Sequence, residues 1–409
     1  MAAERARKAE APPARLIVPA LGVTQILAWG SSYYLPAVLA QPIANDTGWP
    51  LTWVVGGLSL GLLVAGLASP LVGRLIHRHG GRPVLIASAV LLATGALGLA
   101  VAPTLPVFIA AWMVMGLGMS AGLYDAAFST LGRIYGQGAR QHITTLTLFG
   151  GLASTVCWPL SAFLVQELGW RGTCAAYAAI QALLSLTIYL VALPREPRNG
   201  QEHLDGATPA AGDIMVRPPW VFLLLATTIT IAPVLSTIMS VHLLTILQAR
   251  DISLAAAVAL GAMVGPSQVG ARFIEMLIAK YHHPIWTKIA SVTCVTIGLG
   301  LLWVHFPLVA LALIFCGAGI GLESIARATL PLVLYGVANY APIMGKLARP
   351  SLIAQAAAPS IGAFLIQWFG SDRALGVIAT VAGINVVLAL VLLVAQRKTE
   401  PPAATGPRR

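Results

Sequence analysis

A helix crosses the hydrocarbon layer of a bilayer only when about 20 consecutive residues are predominantly apolar. This chain meets that condition twelve times, over 16–40, 51–76, 83–102, 105–134, 143–165, 173–193, 219–247, 253–279, 284–304, 306–335, 344–368 and 374–395. Charge between and within the runs is sparse: 10% of the 409 residues are Asp, Glu, Lys or Arg, and 57% are hydrophobic. A soluble domain carries about 25% charged residues, so an ordinary cytosolic enzyme, a disordered tail and a nucleic-acid-binding module are all excluded, the net charge of +11 notwithstanding. The expected fold is an all-α polytopic membrane protein with twelve transmembrane helices. The first run is too long for a signal peptide and lacks a small-residue cleavage pattern, so it is expected to stay in the mature chain. Cys157, Cys174, Cys294 and Cys316 lie far apart within apolar runs, which suits small core residues and not a disulfide framework or a zinc site.

The basic residues set the expected orientation. With the N-terminus inside, 20 of the 25 Lys and Arg, among them Arg74, Arg78, Arg133, Arg140, Lys280 and Lys288, fall in cytoplasmic segments. The outer loops hold Arg171, Arg250 and Arg373, each near an acid (Glu167, Asp251 and Asp372). That is a positive-inside bias, and it places both termini in the cytoplasm; the expected membrane is the cell's inner, plasma, membrane. The longest polar stretch, 194–217, is rich in Pro, Gly and charge and reads as a flexible cytoplasmic linker. It divides the chain into a tail (1–15), a six-helix bundle (16–193), the linker, a second six-helix bundle (218–396) and a second tail (397–409).

The two bundles repeat one plan. Pro159 is followed by AFLVQELG, and Pro359 by AFLIQWFG. A GLG…LGRIYG run over 116–136 faces GAG…LVLYG over 317–336, and Pro83 and Pro284 each open a span after a basic loop. Internal repeats of this kind belong to transporters whose two bundles rock around a central site.

The loop after the second run, Gly73-Arg74-Leu75-Ile76-His77-Arg78-His79-Gly80-Gly81-Arg82, resembles the G-x-L-x-D-R-x-G-R signature of the major facilitator superfamily. The resemblance implies two pseudo-symmetric bundles and makes Gly73, His77, Arg78, Gly80 and Arg82 a conformational loop. His77 stands where the family places an Asp that helps latch one conformation. A narrower likeness to bacterial monocarboxylate and oxalate/formate porters rests on Gly48-Trp49, the region of Ser59, and Gly265-Pro266-Ser267-Gln268 leading to Arg272. In that group a basic residue of the eighth helix meets the substrate carboxylate, and Arg272 matches it. The first helix lacks the Lys of the animal members, and Gln355 occupies the middle of the eleventh run where a second cation would stand, so one carboxylate suits the chain better than two.

Few charges lie within the runs, and each costs several kcal/mol at bilayer depth unless it is paired or faces water. Arg272 follows Gln268 by one turn and precedes Glu275 by three residues, so the three share a helical face. Arg272 is either an anion anchor, using the bidentate reach of guanidinium, or a brace paired with Glu275. Glu323 and Arg327 stand at i and i+4 in the tenth run, as a local ion pair or as a carboxylate taking part in proton coupling; burial disfavours charge on an acid and a nearby cation restores it, which is the competition a coupling site needs. Asp125 is expected to pair with Arg272 or Arg133, or to take the coupling proton. Gln25, Trp29, Ser32, Tyr33, Tyr34, Tyr124, His242 and Gln355 are polar or aromatic candidates on helices that line the cavity in the family; ordinary packing is the plainer role for any one ring, and His242 also reads as an exposed residue of an outer loop. His282 and His283 have no third ligand nearby, and no metal, cofactor or nucleic-acid partner is expected.

The reading is therefore a secondary active transporter, not an enzyme, moving a small organic anion such as a monocarboxylate with a proton by alternating access. Arg272, Gln268, Gln355, Gln25, Trp29, Tyr33 and Tyr124 would bind substrate, and Glu323, Asp125, Arg327 and Glu275 would serve coupling. The expected partners are that anion, protons and lipid, and a monomer is the expected state. A proton-driven exporter of hydrophobic or toxic compounds is the alternative, with a non-transporting receptor or scaffold behind it.

Overall fold

The computed structural model describes residues 14–195 and 218–399. Residues 1–13, nearly all of the 194–217 linker and residues 400–409, with the basic residues they carry, lie outside the described residues. Every element of the described chain is helical. Nine helices are long and apolar enough to span a membrane among the described residues. Two of them contain a glycine in the left-handed region and are really two crossings each: Ala139–Ala192 turns at Gly169 (φ 68°), and Val309–Phe369 turns at Gly336 (φ 72°). Only glycine adopts such a φ without strain. The eighth crossing is built from two short helices, Leu254–Gly261 and Val264–Ile278, joined by Ala262 and Met263. The twelve expected crossings are thus present.

The duplicated plan is visible in the turns. Gly136 and Gly336 turn the chain into the fifth and eleventh spans, and Gly169 and Gly370 turn it into the sixth and twelfth, all at positive φ. Gly48 and Asp251 do the same after the first and seventh. The glycines singled out in the fourth run serve close packing: a Cβ on Gly116 would lie 2.9 Å from Gly61 Cα, and one on Gly118 would lie 2.9 Å from the Leu92 amide nitrogen. Gly116→Val should therefore overpack the second and fourth spans and cost about 1–3 kcal/mol, read as a lower Tm of the purified protein in detergent; an unchanged Tm would mean that the two helices separate without penalty.

Two of the four buried apolar clusters lie wholly within 218–399, and one belongs mainly to 14–195. The fourth joins the two segments: Ile17, Ile76, Leu131 and Ile143 pack with Leu332, Tyr340, Ala341 and Met344. This seam is at the end of the bundle where the described chain begins. There Ser69 Oγ donates to the Gly345 carbonyl at 2.9 Å, Gly73 is pressed against Ala341 and Gly345, and Arg140 donates to the His282 carbonyl at 2.8 Å. At the opposite end the polar contacts stay within a segment: Trp170 Nε1 to Asp46 at 2.8 Å, Arg171 to the carbonyls of Ala100 and Ala102, and Arg250 to Asp372 at 3.3 Å. Arg171 also lies over the Trp170 ring. Neither Arg171 nor Arg250 takes the acid nearest to it in sequence, because the loops fold onto neighbouring spans. The closed end and the unjoined end define one arrangement of a two-bundle protein.

Candidate functional site

Two consecutive glycines organise the centre of the seam. A Cβ on Gly150, in the fifth span, would collide with the Tyr124 hydroxyl, and one on Gly151 would collide with Arg272 Nη1. The bare backbone lets a tyrosine of the fourth span and an arginine of the eighth close on the same turn. Both then donate to one oxygen: Tyr124 Oη to the Thr147 carbonyl at 3.3 Å, and Arg272 Nη1 to the same carbonyl at 3.0 Å. Arg272 Nε donates to the Gly321 carbonyl of the tenth span at 3.3 Å, and Nη2 stands 3.5 Å from Gln268 Oε1. Arg272 is 5% exposed and makes no ion pair among the described residues. Guanidinium has five N–H donors; with these three contacts made, two remain for another acceptor.

Next to the cation is a set of rings. Gln25, Trp29 and Tyr33 recur every fourth residue along one face of the first span. Trp29 lies 5.1 Å from Tyr124, 5.3 Å from Tyr33 and 6.0 Å from Tyr34 between ring centroids, and Tyr34 lies 6.1 Å from Trp158 of the fifth span. Tyr124 stacks on Phe128 at 4.9 Å. Gln25 Nε2 donates to the Gly122 carbonyl at 2.6 Å, which fixes the amide so that Oε1 is the remaining acceptor. Gln355 Nε2 donates to Thr237 Oγ1 at 3.0 Å and reaches Tyr33 Oη at 3.4 Å, joining the eleventh, seventh and first spans. Of the substrate candidates, Arg272, Gln268, Tyr124, Trp29, Tyr33 and Gln355 are therefore linked through contacts, with Gln25 alongside. Ser32 is turned to its own helix, on the Ala28 carbonyl. His242 is half-buried, with Nε2 2.9 Å from the Pro359 carbonyl, and so is not the exposed loop residue that its place near the outer end suggested.

The charges pair differently from their sequence neighbours. Arg272 and Glu275 are not a brace: Glu275 accepts from Thr287 Oγ1 at 2.7 Å and faces His282 Nε2 at 3.4 Å. Glu323 and Arg327 are not a local pair either. Arg327 reaches across the seam to Asp125 at 2.7 Å, while Glu323 holds Lys288 Nζ at 2.6 Å and the Ser291 hydroxyl at 2.9 Å. Asp125 thus meets neither Arg272 nor Arg133, which donates instead to the carbonyls of Ile76 and His77. Lys288, counted above among the cytoplasmic cations, is fully buried inside the ninth span, Pro284–Trp303, and also donates to the Thr228 carbonyl at 3.0 Å. Its position one turn after a helix-opening proline made it look like a loop cation; Ser291 three residues on, at helical spacing, was the available sign that it points inward. Thr147, Gly151, Thr237 and Trp158 were likewise missed, because backbone carbonyls, bare Cα atoms and lone rings leave no sequence signature.

In the basic loop, Gly73 contacts the eleventh span, Arg78 is exposed, Gly80 (φ 82°) makes the turn and Arg82 Nη2 donates to the Leu190 carbonyl at 2.6 Å. His77 contributes its carbonyl to Arg133, which places a cation on the C-terminal carbonyls of the second helix where the dipole favours it.

A sequence profile of the Major Facilitator Superfamily matches residues 21–348. Mouse monocarboxylate transporter 11 is 32% identical over 143 residues, which are 34% of this chain and 29% of that protein; the match thus spans under a third of the relative's length. Among solved structures, the human organic anion transporter MFSD10 superposes with a TM-score of 0.72 at 16% identity, covering 92% of this chain and all of that one. The proton:xylose symporter XylE bound to 6-bromo-6-deoxy-D-glucose gives a TM-score of 0.70 at 14% identity, with 92% and 95% covered. At such identities the likeness shows the fold alone.

Proposed function

The chain belongs to the major facilitator superfamily, and on that premise we propose that it moves a small organic monocarboxylate together with a proton by alternating access. The observation that carries this reading is Arg272: a buried cation at the seam of the two segments, without an acid among the described residues, with two donors to spare. A carboxylate is the partner such a group lacks. The acids argue the same way. Asp125 and Glu323 each already hold a cation, which leaves neither to receive a cationic drug, and so the exporter alternative is disfavoured.

The closed end is the cytoplasmic one in this reading, since the positive-inside bias stands with Lys288 removed from it. The rocking bodies are residues 16–193 and 218–396, and the membrane is the cell's inner, plasma, membrane, with the protein a monomer. Opening the closed end must part Arg272 from Thr147 and Arg327 from Asp125, because both contacts cross the seam. Asp125 then loses its cation, and a proton is the compensation open to a carboxylate at that depth. Glu323, whose cation sits on the neighbouring span of its own segment, keeps its partner throughout. Asp125 is accordingly the coupling acid, and Glu323 with Lys288 a structural pair.

Asp125→Asn tests the assignment. In liposomes it should retain exchange of internal for external substrate while losing the accumulation that an inward acid gradient drives in the parent, roughly tenfold for one coupling proton over one pH unit. A variant with the parent's pH profile would place the proton elsewhere.

A further inference from the structure

We propose that the substrate is an aromatic monocarboxylate, its carboxylate on Arg272 and its ring against Trp29, Tyr34, Tyr124 and Trp158; the proposal rests on the monocarboxylate reading of Arg272 and names the class of acid. The observations are independent of the cation. Trp29, Tyr34, Tyr124 and Trp158 come from the first, fourth and fifth spans, and their ring centroids are linked in steps of 5.1, 6.0 and 6.1 Å. Tyr124 shares the Thr147 carbonyl with Arg272, so the rings begin where the guanidinium ends. A two- or three-carbon acid bound to Arg272 is too short to lie against both Trp29 and Trp158. A flat hydrocarbon body would instead meet ring faces and edges at the spacings aromatic groups prefer.

Two further atoms point to a ligand. Gln25 Oε1 and Trp29 Nε1 are buried and have no hydrogen-bond partner among the described residues, and Gln25, fully buried, is held by its bond to Gly122 with that oxygen unspent. Buried polar atoms are nearly always satisfied, and these two stand one helical turn apart on the face that carries the rings. Arg327 holds Asp125 and Lys288 holds Glu323, so Arg272, joined to Tyr124 through the Thr147 carbonyl, is the cation that stands beside the aromatic wall.

Pyruvate and phenylpyruvate differ only in the ring and make a matched pair of probes. Binding to the purified full-length protein in detergent, measured by thermal shift over a concentration series, should be roughly tenfold tighter for phenylpyruvate than for pyruvate. Trp29→Leu should shrink that ratio to about two or less. Because Trp29 packs on three rings, Trp158→Leu is the second variant; Trp158 is 46% exposed, and its loss should cut the ratio without unfolding the chain. Equal or tighter binding of pyruvate by the parent would overturn the aromatic assignment and leave the monocarboxylate reading standing. A preference that survives unchanged in both variants would also overturn it. Binding of neither acid would remove the monocarboxylate reading and this inference together.

Discussion

Arg272→Ala is expected to lose carboxylate transport by at least about thirtyfold while remaining a folded, membrane-inserted protein. Removing one partner of a buried charge-assisted contact costs roughly 2–5 kcal/mol, a factor of about 30 to several thousand in binding. The fold survives because Arg272 neutralises no acid; its loss frees the Thr147 and Gly321 carbonyls, and a drop of a few degrees in Tm is the expected structural cost. Arg272→Lys keeps the charge but not the planar fork, and should retain part of the activity. Glu275→Gln separates this account from a helix brace: Glu275 contacts Thr287 and His282, not Arg272, so its neutralisation should leave carboxylate affinity near that of the parent. Parental transport by the Ala variant would remove Arg272 from the site.

The second large effect is on stability. Lys288→Met leaves Glu323 charged and buried within 218–399, where among the described residues only Ser291 still donates to it. Breaking a buried pair by removing one partner costs about 3–5 kcal/mol, which should appear as a large fall in Tm and poor recovery from the membrane. The double variant Lys288→Met, Glu323→Leu should regain most of the loss, since replacing both members by apolar groups leaves no orphaned charge. Lys288→Met with parental stability would mean that Glu323 exchanges its partner freely, and the coupling role assigned to Asp125 would pass to Glu323.

Much of the architecture is legible in the chain because a bilayer demands it. Apolar length, the placement of basic residues and the echo of Pro159 in Pro359 lead to the twelve crossings and their duplicated plan, and Arg272, Asp125, Glu323 and Arg327 draw notice as charges where charge is expensive. What sequence does not carry is partnership across the seam. Asp125 and Arg327 are 202 residues apart, and Arg272 and the Thr147 carbonyl 125 apart, so local spacing pairs Arg272 with Glu275 and Glu323 with Arg327, in each case wrongly. Lys288 shows a second limit: a cation within a turn of a predicted span edge can be outside or inside, and only the partner on the tenth helix decides. The glycines at 150 and 151 show a third, since their role is to be absent from the space that Tyr124 and Arg272 fill.

The most direct test of coupled anion transport is uptake of labelled pyruvate and phenylpyruvate, acids that cross bare lipid slowly, into liposomes bearing the purified protein, with the outside acid and the inside alkaline. The account predicts that at least one of the two accumulates above its external concentration, that a protonophore abolishes the accumulation, and that liposomes bearing Arg272→Ala show none. Accumulation of neither acid, or equal accumulation by the parent and by Arg272→Ala, would contradict it.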